Sequence, residues 1–135
     1  MKKRKLFLPI IFALFLGMSI LSLANEAYIA SFNILRLGAS KKDMTQTAKI
    51  LQGFDIVGLV EVMNKDGVEE LVDELNKQGN EKWDYHISPF GVGSSKYKEY
   101  FAYVYKKDKV KFIKSEGFYK NGKSSLLREP YGATF

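Results

Sequence analysis

The amino-acid sequence predicts a layered fold of mixed α and β structure. In the first half of the chain, segments with strand character alternate with amphipathic segments of helical spacing, and strands dominate the second half. This order is typical of folds in which helices cover a sheet. No internal repeat or low-complexity linker interrupts it, and the 135 residues are enough for one domain after a short leader.

The first 24 residues have the pattern of a secretory signal peptide. A basic start, Lys2 to Lys5, precedes an apolar run from Leu6 to Leu23 that closes on Ser22-Leu-Ala24. We therefore expect residues 1–24 to be a signal peptide, and the mature protein to be secreted, periplasmic or extracellular, with no stable membrane association after cleavage. The alternative is a retained anchor, since the apolar run approaches the roughly 18 to 20 residues that span a bilayer.

The mature part of the chain is close to neutral. The leader contains four of the 21 basic residues and none of the 15 acidic ones, which leaves 17 against 15, a net charge of +2. Contact with nucleic acid must therefore come from locally placed cations rather than from a general positive field. The absence of cysteine excludes disulfides, thiolate metal ligands and a cysteine-linked lipid anchor.

Hydrophobic spacing defines the elements of the first half. Tyr28 to Leu35 alternates and predicts a strand, and Asp43 to Gln52 predicts a helix with its Asp as N-cap. Ile56 to Val62 is almost continuously apolar, which indicates a strand covered on both faces, so that its one charged residue, Glu61, stands out. Val68 to Asn76 predicts a second helix, with apolar residues on one face and carboxylates on the other.

The second half is predicted to consist mostly of strands. Trp83 to Ser88 forms one strand, and a loop rich in proline, glycine and serine follows it. Tyr100 to Tyr105 and Val110 to Phe118 are predicted to form a hairpin around Lys107-Asp108. Tyr131 to Phe135 has the pattern of the opening of a further strand.

Two polar residues interrupt the apolar pattern of the first two strands. Asn33 has apolar neighbours in the first strand, and Glu61 lies at the end of the second, where layered α/β folds gather ligand-binding side chains. Carboxylate and amide oxygens suit Mg²⁺, which keeps most of its waters and takes one or two carboxylates. Taken alone, Asn33 can equally be a structural amide, and Glu61 a surface or salt-bridge residue.

Two later segments combine aromatic and charged residues. Ser94-Ser-Lys-Tyr-Lys-Glu99 leads a glycine-containing loop into a strand, and Arg128-Glu-Pro130 follows a polar loop. Arginine is the side chain best shaped for bidentate contact with phosphate. From the residues alone, Tyr97 and Glu99 are also ordinary for the start of a strand, and Arg128 is also ordinary as a surface cation.

Four segments, in their order along the chain, resemble motifs of the endonuclease/exonuclease/phosphatase family, closest to its deoxyribonuclease branch. They are Ser31-Phe-Asn-Ile34, Asp55-Ile-Val-Gly-Leu-Val-Glu61, Ser95-Lys-Tyr-Lys-Glu99 and Arg128-Glu-Pro130. The resemblance covers nearly all of residues 25–135 but only about the first half of the family domain, so we expect this segment to be a truncated N-terminal part. It implies an α+β fold of the deoxyribonuclease type, a four-layer α/β/β/α sandwich of which this chain supplies about one half.

The resemblance also implies a role for each candidate residue. Asn33 and Glu61 would hold a catalytic divalent ion, Mg²⁺ with Ca²⁺ or Mn²⁺ as alternatives. Tyr97 would contact the substrate backbone, and Arg128 would bind its phosphate. Glu99 would orient a catalytic histidine, which makes Glu61 and Glu99 the catalytic carboxylates of this segment.

The function predicted on these grounds is that of an exported, metal-dependent phosphodiester hydrolase, an endonuclease acting on DNA. His86, the single histidine, lies among strand residues and is interpreted as structural, so the family's catalytic histidines would lie beyond position 135. The fragment alone is therefore expected to be inactive, with the missing C-terminal half of the domain as its partner. One alternative keeps the fold with a phospholipid or small phosphate ester as substrate; another is a non-catalytic binding module or the remnant of a truncated gene.

The same interpretation predicts a stability deficit. The sheet face turned away from the helices would be rich in Phe, Tyr, Val and Ile and would have no partner within this chain. Apolar burial contributes about 25 cal/mol per Å², so exposing about 400 Å² costs on the order of 10 kcal/mol, comparable to the stability of a domain. We expect residues 25–135 alone to aggregate or to fold only partly; a sharp, cooperative melt of that segment would contradict this.

Overall fold

The computed structural model describes residues 26–120 and 126–135, in which the chain folds into a mixed sheet with two helices and a separate two-stranded ribbon. The architecture is α+β, as predicted. The signal peptide predicted at 1–24 and the polar loop at 121–125 lie outside the described residues. Within the described ranges, no helix is long and apolar enough to span a bilayer.

The elements follow one another in the predicted order, with one addition, a two-residue strand at Val92–Gly93 in the segment predicted to be a loop. They are β1 (Ile29–Leu37), α1 (Met44–Leu51), β2 (Ile56–Val62), α2 (Lys65–Gln78), β3 (Trp83–Ile87), β4 (Val92–Gly93), β5 (Lys98–Lys106), β6 (Lys114–Phe118) and β7 (Tyr131–Thr134).

The sheet topology brings three chain segments to one edge. The strand order is β1-β2-β5-β3, with the short β4 paired to the start of β5. β1 and β2 are parallel, so their carboxyl ends lie at the same edge, and β5 is antiparallel to β2, so it begins there. The residues that end β1 and β2 and those that start β5 therefore meet, although they are far apart in sequence.

Side-chain caps fix the start of each helix. Asp43 is the N-cap of α1, as predicted, and its carboxylate accepts a hydrogen bond of 3.0 Å from the Gln46 amide. Asn64 caps α2 by accepting from the Gly67 amide at 2.9 Å, and it donates to the Gly38 carbonyl at 2.9 Å. A Cβ on Gly67 would lie 2.7 Å from the Gly38 backbone, so only glycine lets α2 approach the turn after β1 this closely.

The core lies between the helices and one face of the sheet. Alternate residues of β2, such as Val57 and Leu59, point into it, and they meet the apolar faces of α1 and α2. Its buried members are Ile34, Leu37, Ala48, Leu51, Val57, Leu59, Val62, Val68, Leu71, Val72, Leu75, Trp83, Ala102 and Val104.

The hairpin predicted for Tyr100–Tyr105 and Val110–Phe118 is wrong. β5 has β2 on one side and β3 on the other, so neither edge is free to pair with the segment that follows it. The chain instead leaves the sheet, and β6 pairs antiparallel with β7. The strand predicted to open at Tyr131 is confirmed, and β6 is its partner.

The β6/β7 ribbon packs on the sheet face that is turned away from the helices. The Tyr103 hydroxyl of β5 donates to the Tyr131 carbonyl at 2.8 Å, and Phe135 makes edge contacts with Tyr103 and Tyr105. The expectation that this face has no partner within the chain is therefore wrong for its β5 side. Beside the ribbon, an open apolar groove of about 280 Å³ remains, lined in part by Ile29 and Val60.

Asp55 ties the start of β2 to both neighbouring strands. Its carboxylate is buried, accepts from the Tyr28 amide at 2.9 Å and lies 3.4 Å from the Lys106 ammonium and 3.0 Å from that of Lys109. The bond from Tyr28 is the main cause that holds the pKa of Asp55 below its ordinary value, and the two lysines add to it. Lys106 also contacts Glu81 at 2.6 Å, so the cluster joins β1, β2 and the end of β5.

We expect Asp55→Ala to lower the free energy of unfolding by about 3 kcal/mol, because it leaves the Tyr28 amide without its acceptor and removes a buried ionic partner of Lys106. Urea denaturation measures the change. Asp73→Asn, on the exposed face of α2, removes the same charge and should change stability by less than about 0.5 kcal/mol. Equal stabilities for the two variants would contradict this account.

Acid should weaken the same contact. Because the folded-state pKa of Asp55 is lowered, its contribution is fully present above the ordinary value of 3.8 and is lost as pH falls through the folded value. The stability difference between the wild type and Asp55→Asn should therefore shrink below about pH 4.

Candidate active site

Asn33 and Glu61 are in direct contact at the sheet edge where β1 and β2 end. The Asn33 amide nitrogen donates to the Glu61 Oε1 at 2.8 Å, across 28 positions of sequence. The contact follows from the register, because Asn33 lies opposite Val60, the neighbour of Glu61. The two residues predicted as a ligand pair are thus adjacent.

Unusual backbone conformations cluster around this contact. Leu35, Arg36 and Glu61 have φ values of 48°, 57° and 60°, and among the described residues they are all the non-glycine residues with positive φ. The pairing of β1 with β2 shifts register between Asn33 and Leu37, and that of β2 with β5 shifts beyond Leu59. Such irregularities re-aim side chains, and left-handed residues are retained mostly where function needs them.

Local hydrogen bonds hold the strained turn after Asn33. The Leu35 amide donates to the Asn33 Oδ1 at 2.9 Å. The Ser40 hydroxyl donates to the carbonyls of Leu35 and Arg36 at 2.9 and 3.1 Å. Asn33 is exposed, so this backbone framework rather than burial fixes its side chain.

The two later sequence motifs also meet. An Arg128 Nη2 lies 3.2 Å from the Glu99 Oε1, and the Arg128 guanidinium carbon is 5.8 Å from the centre of the Tyr97 ring. The Glu99 side chain is 8% exposed and that of Arg128 is 47% exposed, so the carboxylate is fixed while the cation still faces solvent. Tyr97 and Glu99 are therefore held together with Arg128.

Glycine makes the turn before Tyr97 possible. Gly93 has a φ of +130°, and a Cβ at this position would lie 2.5 Å from the Tyr97 carbonyl oxygen. The Tyr97 amide donates to the Ser94 hydroxyl at 3.1 Å. Glycine at position 93 therefore allows the close backbone approach that places Tyr97 next to the start of β5.

Electrostatics link Tyr97 to the Asn33–Glu61 pair. Partial burial raises the pKa of the Tyr97 phenol above its ordinary value, and the carboxylates of Glu99 and Glu61 raise it further. Arg36 acts in the opposite direction. Tyr97 is thus a neutral phenol at physiological pH, and its hydroxyl can donate to an anion.

Sequence reasoning missed Arg36. Its guanidinium carbon lies 5.7 Å from the centre of the Tyr97 ring, at about the same distance as that of Arg128. The sequence feature that could have indicated Arg36 is its position, a cation three residues after Asn33 near the end of the same strand. A groove of about 350 Å³ beside Asn33, bordered by Lys41 and Lys42, was missed as well.

His86 makes the contacts of a structural residue. Its ring stacks on Phe112 at a centroid distance of 4.1 Å, and its Nε2 is 2.7 Å from the Tyr131 hydroxyl. Burial lowers the pKa of the imidazole below its ordinary value. His86 lies on β3, against the β6/β7 ribbon, which agrees with its structural interpretation.

The site chemistry suits a hard divalent cation with few protein ligands. The described residues contain no group of three or more His, Cys, Asp or Glu side chains placed to hold a metal ion. The donors present are the Glu61 carboxylate and the Asn33 amide oxygen, which accepts from Leu35 and keeps a second lone pair. One carboxylate with one amide oxygen fits Mg²⁺, which retains several waters.

The known proteins to which this chain is similar include several deoxyribonucleases. The chain is 31% identical over 108 residues to a deoxyribonuclease of Thioalkalivibrio sp. (strain K90mix), which covers 79% of the chain and 30% of that protein. It is 32% identical over 122 residues to mouse deoxyribonuclease-1, covering 83% of the chain and 43% of the relative. For human deoxyribonuclease-1-like 2 the values are 30% over 113 residues, 79% and 37%.

The chain thus spans less than half the length of these curated relatives. No protein-family model matches it.

We expect Asn33→Asp to lower stability by about 1 kcal/mol in the presence of EDTA, because it places a second carboxylate beside Glu61. Millimolar Mg²⁺ should reverse the loss, since a cation between the two carboxylates removes their repulsion. Melting temperatures with EDTA and with Mg²⁺ measure both effects.

Asn80→Asp, in the exposed turn after α2, adds the same charge away from the site and is the matched control. If Asn33→Asp and Asn80→Asp melt alike under both conditions, the edge of β1 and β2 does not bind a divalent ion.

Proposed function

Because this chain belongs to the deoxyribonuclease-like branch of the endonuclease/exonuclease/phosphatase family, we propose that its natural gene product is an exported, metal-dependent phosphodiester hydrolase that cleaves DNA. The leader at 1–24 would direct export, and the complete domain would be a four-layer α/β/β/α sandwich. The described residues would supply one sheet with its helices and the β6/β7 ribbon of the next sheet.

The observation that carries the proposal is the hydrogen bond between Asn33 and the left-handed residue Glu61. A carboxylate that is turned out of a hydrophobic strand and held by an amide is well placed to bind a cation. Tyr97 and Glu99 lie at the same sheet edge, where β5 begins, and Arg128 contacts Glu99 there. The arrangement would combine a cation site with a phosphate-binding arginine, which suits metal-assisted phosphodiester hydrolysis.

Asn33 and Glu61 would hold Mg²⁺, with Ca²⁺ or Mn²⁺ as alternatives. Bound there, the ion would act as a Lewis acid on a phosphate oxygen. The protein's own part is to keep Glu61 oriented, through the Asn33 amide, in a partly exposed position. A site of one carboxylate and one amide leaves most coordination positions to water and substrate.

Arg128 would bind the substrate phosphate. Its ion pair with Glu99 uses one edge of the guanidinium, and the exposed remainder keeps further N–H donors for an anion. Glu99 is the more buried partner, so it positions Arg128. It would also orient a catalytic histidine supplied by residues after 135, and without that histidine the segment described here would be inactive.

Glu61→Gln in the natural gene product should reduce plasmid nicking by at least about 100-fold, because the amide removes the anionic ligand while it can still accept from Asn33. EDTA should abolish the nicking of the wild type. Supercoiled plasmid incubated with Mg²⁺ gives the rate, and the melting temperature of Glu61→Gln in EDTA should match that of the wild type.

Glu70→Gln on the exposed face of α2 is the matched control and should nick at the wild-type rate. Retained nicking by Glu61→Gln would remove this residue from the site. Hydrolysis of sphingomyelin but not of DNA would move the protein to the phospholipid alternative. DNA binding without hydrolysis by the wild type would favour a non-catalytic module.

A further inference from the structure

Arg36 lies beside Tyr97 at the edge of the candidate site, and we propose that it is a second DNA contact, which binds a backbone phosphate next to the one held by Arg128. This inference rests on the proposed function, since it names a further substrate-binding residue of the same site. It concerns a residue outside the four sequence motifs.

The geometry places two cations beside one aromatic ring. The guanidinium carbons of Arg36 and Arg128 lie 5.7 and 5.8 Å from the centre of the Tyr97 ring, within the range of cation–π attraction. They are consequently no more than about 12 Å apart. Glu99 neutralises Arg128, whereas in the described part of the chain no carboxylate lies within salt-bridge distance of Arg36. Among the described residues, Arg36 thus lacks the ion pair that Arg128 makes.

The backbone of Arg36 has a left-handed conformation, which is unusual for an arginine at the surface, and hydrogen bonds hold it in place. Its φ is 57°, and its carbonyl accepts from the amides of Ala39 and Ser40 at 3.0 and 3.1 Å. The Ser40 hydroxyl donates to the same carbonyl. A left-handed conformation is unfavourable for a non-glycine residue, and such residues persist mainly at binding and catalytic sites.

This fixed backbone also lowers the entropic cost of binding. A long side chain on a flexible loop loses its freedom when it contacts a ligand, whereas that of Arg36 is already partly ordered against the Tyr97 ring. The two arginines and the Tyr97 hydroxyl form a short row of donors. A row of donors suits a polyanion with closely spaced phosphates, whereas a small phosphate ester can use only one of the two cations.

The test is the salt dependence of DNA binding by the natural gene product, measured by fluorescence anisotropy on a short duplex in EDTA so that no cleavage occurs. One lost phosphate contact should reduce the slope of log K against log salt by about 0.9. Arg36→Gln should show this change and bind several-fold more weakly at about 0.1 M salt. Arg36→Lys should keep most of the slope, because it retains the charge.

Lys77→Gln is the matched control, because it removes one cation that is 72% exposed in the last turn of α2, at the end of the helix remote from the Asn64 cap. It should leave the slope unchanged. The inference is overturned if Arg36→Gln binds with the wild-type slope, if Lys77→Gln loses as much, or if the wild type does not bind the duplex at low salt.

The two proposals can fail separately. Retained nicking by Glu61→Gln would reject the proposed catalytic site and leave the binding measurement on Arg36 intact. An unchanged salt slope in Arg36→Gln, with Glu61→Gln inactive, would reject only the role of Arg36. Equal melting temperatures of Arg36→Gln, Arg36→Lys and the wild type exclude unfolding as the cause of weaker binding.

Discussion

The parallel register of β1 against β2 is the constraint on which the candidate site depends. Asp55 sets it at the start of the strands, because its carboxylate accepts from the Tyr28 amide while the Tyr28 carbonyl accepts from the amides of Asp55 and Ile56. With that end fixed, Asn33 must lie opposite Val60 and beside Glu61. A slip by one residue would exchange the two faces of β1 and move Asn33 into the core.

Much of the fold could be predicted because it depends on local patterns. The cap at Asp43, the two amphipathic helices and the order of the strands follow from residue type and spacing. The wrong prediction of a hairpin after β5 shows what local patterns cannot determine. Whether Val110–Phe118 can pair with β5 depends on which strands already occupy its edges. These are β3 and, from much earlier in the chain, β2.

The proximity of the candidate residues could be predicted in part. The motifs pointed to Asn33 and Glu61, and the register makes them neighbours. The position of Arg36 could not be predicted, because it depends on a left-handed backbone and a register shift that nothing in the residue types of β1 requires. The ion pair of Glu99 with Arg128 likewise joins two motifs whose sequence patterns are independent.

The strained backbone explains how a site of exposed residues can still have fixed geometry. A side chain such as Asn33 cannot be held by close packing if an ion and its waters are to occupy the space around it. Here the backbone beneath the side chain is fixed instead. The helix-side core holds Ile34 and Leu37, and hydrogen bonds to the carbonyls of Leu35 and Arg36 hold the turn between them. The buried residues thus fix the backbone, and the left-handed conformations turn the polar side chains outward, where a cation and a phosphate can reach them.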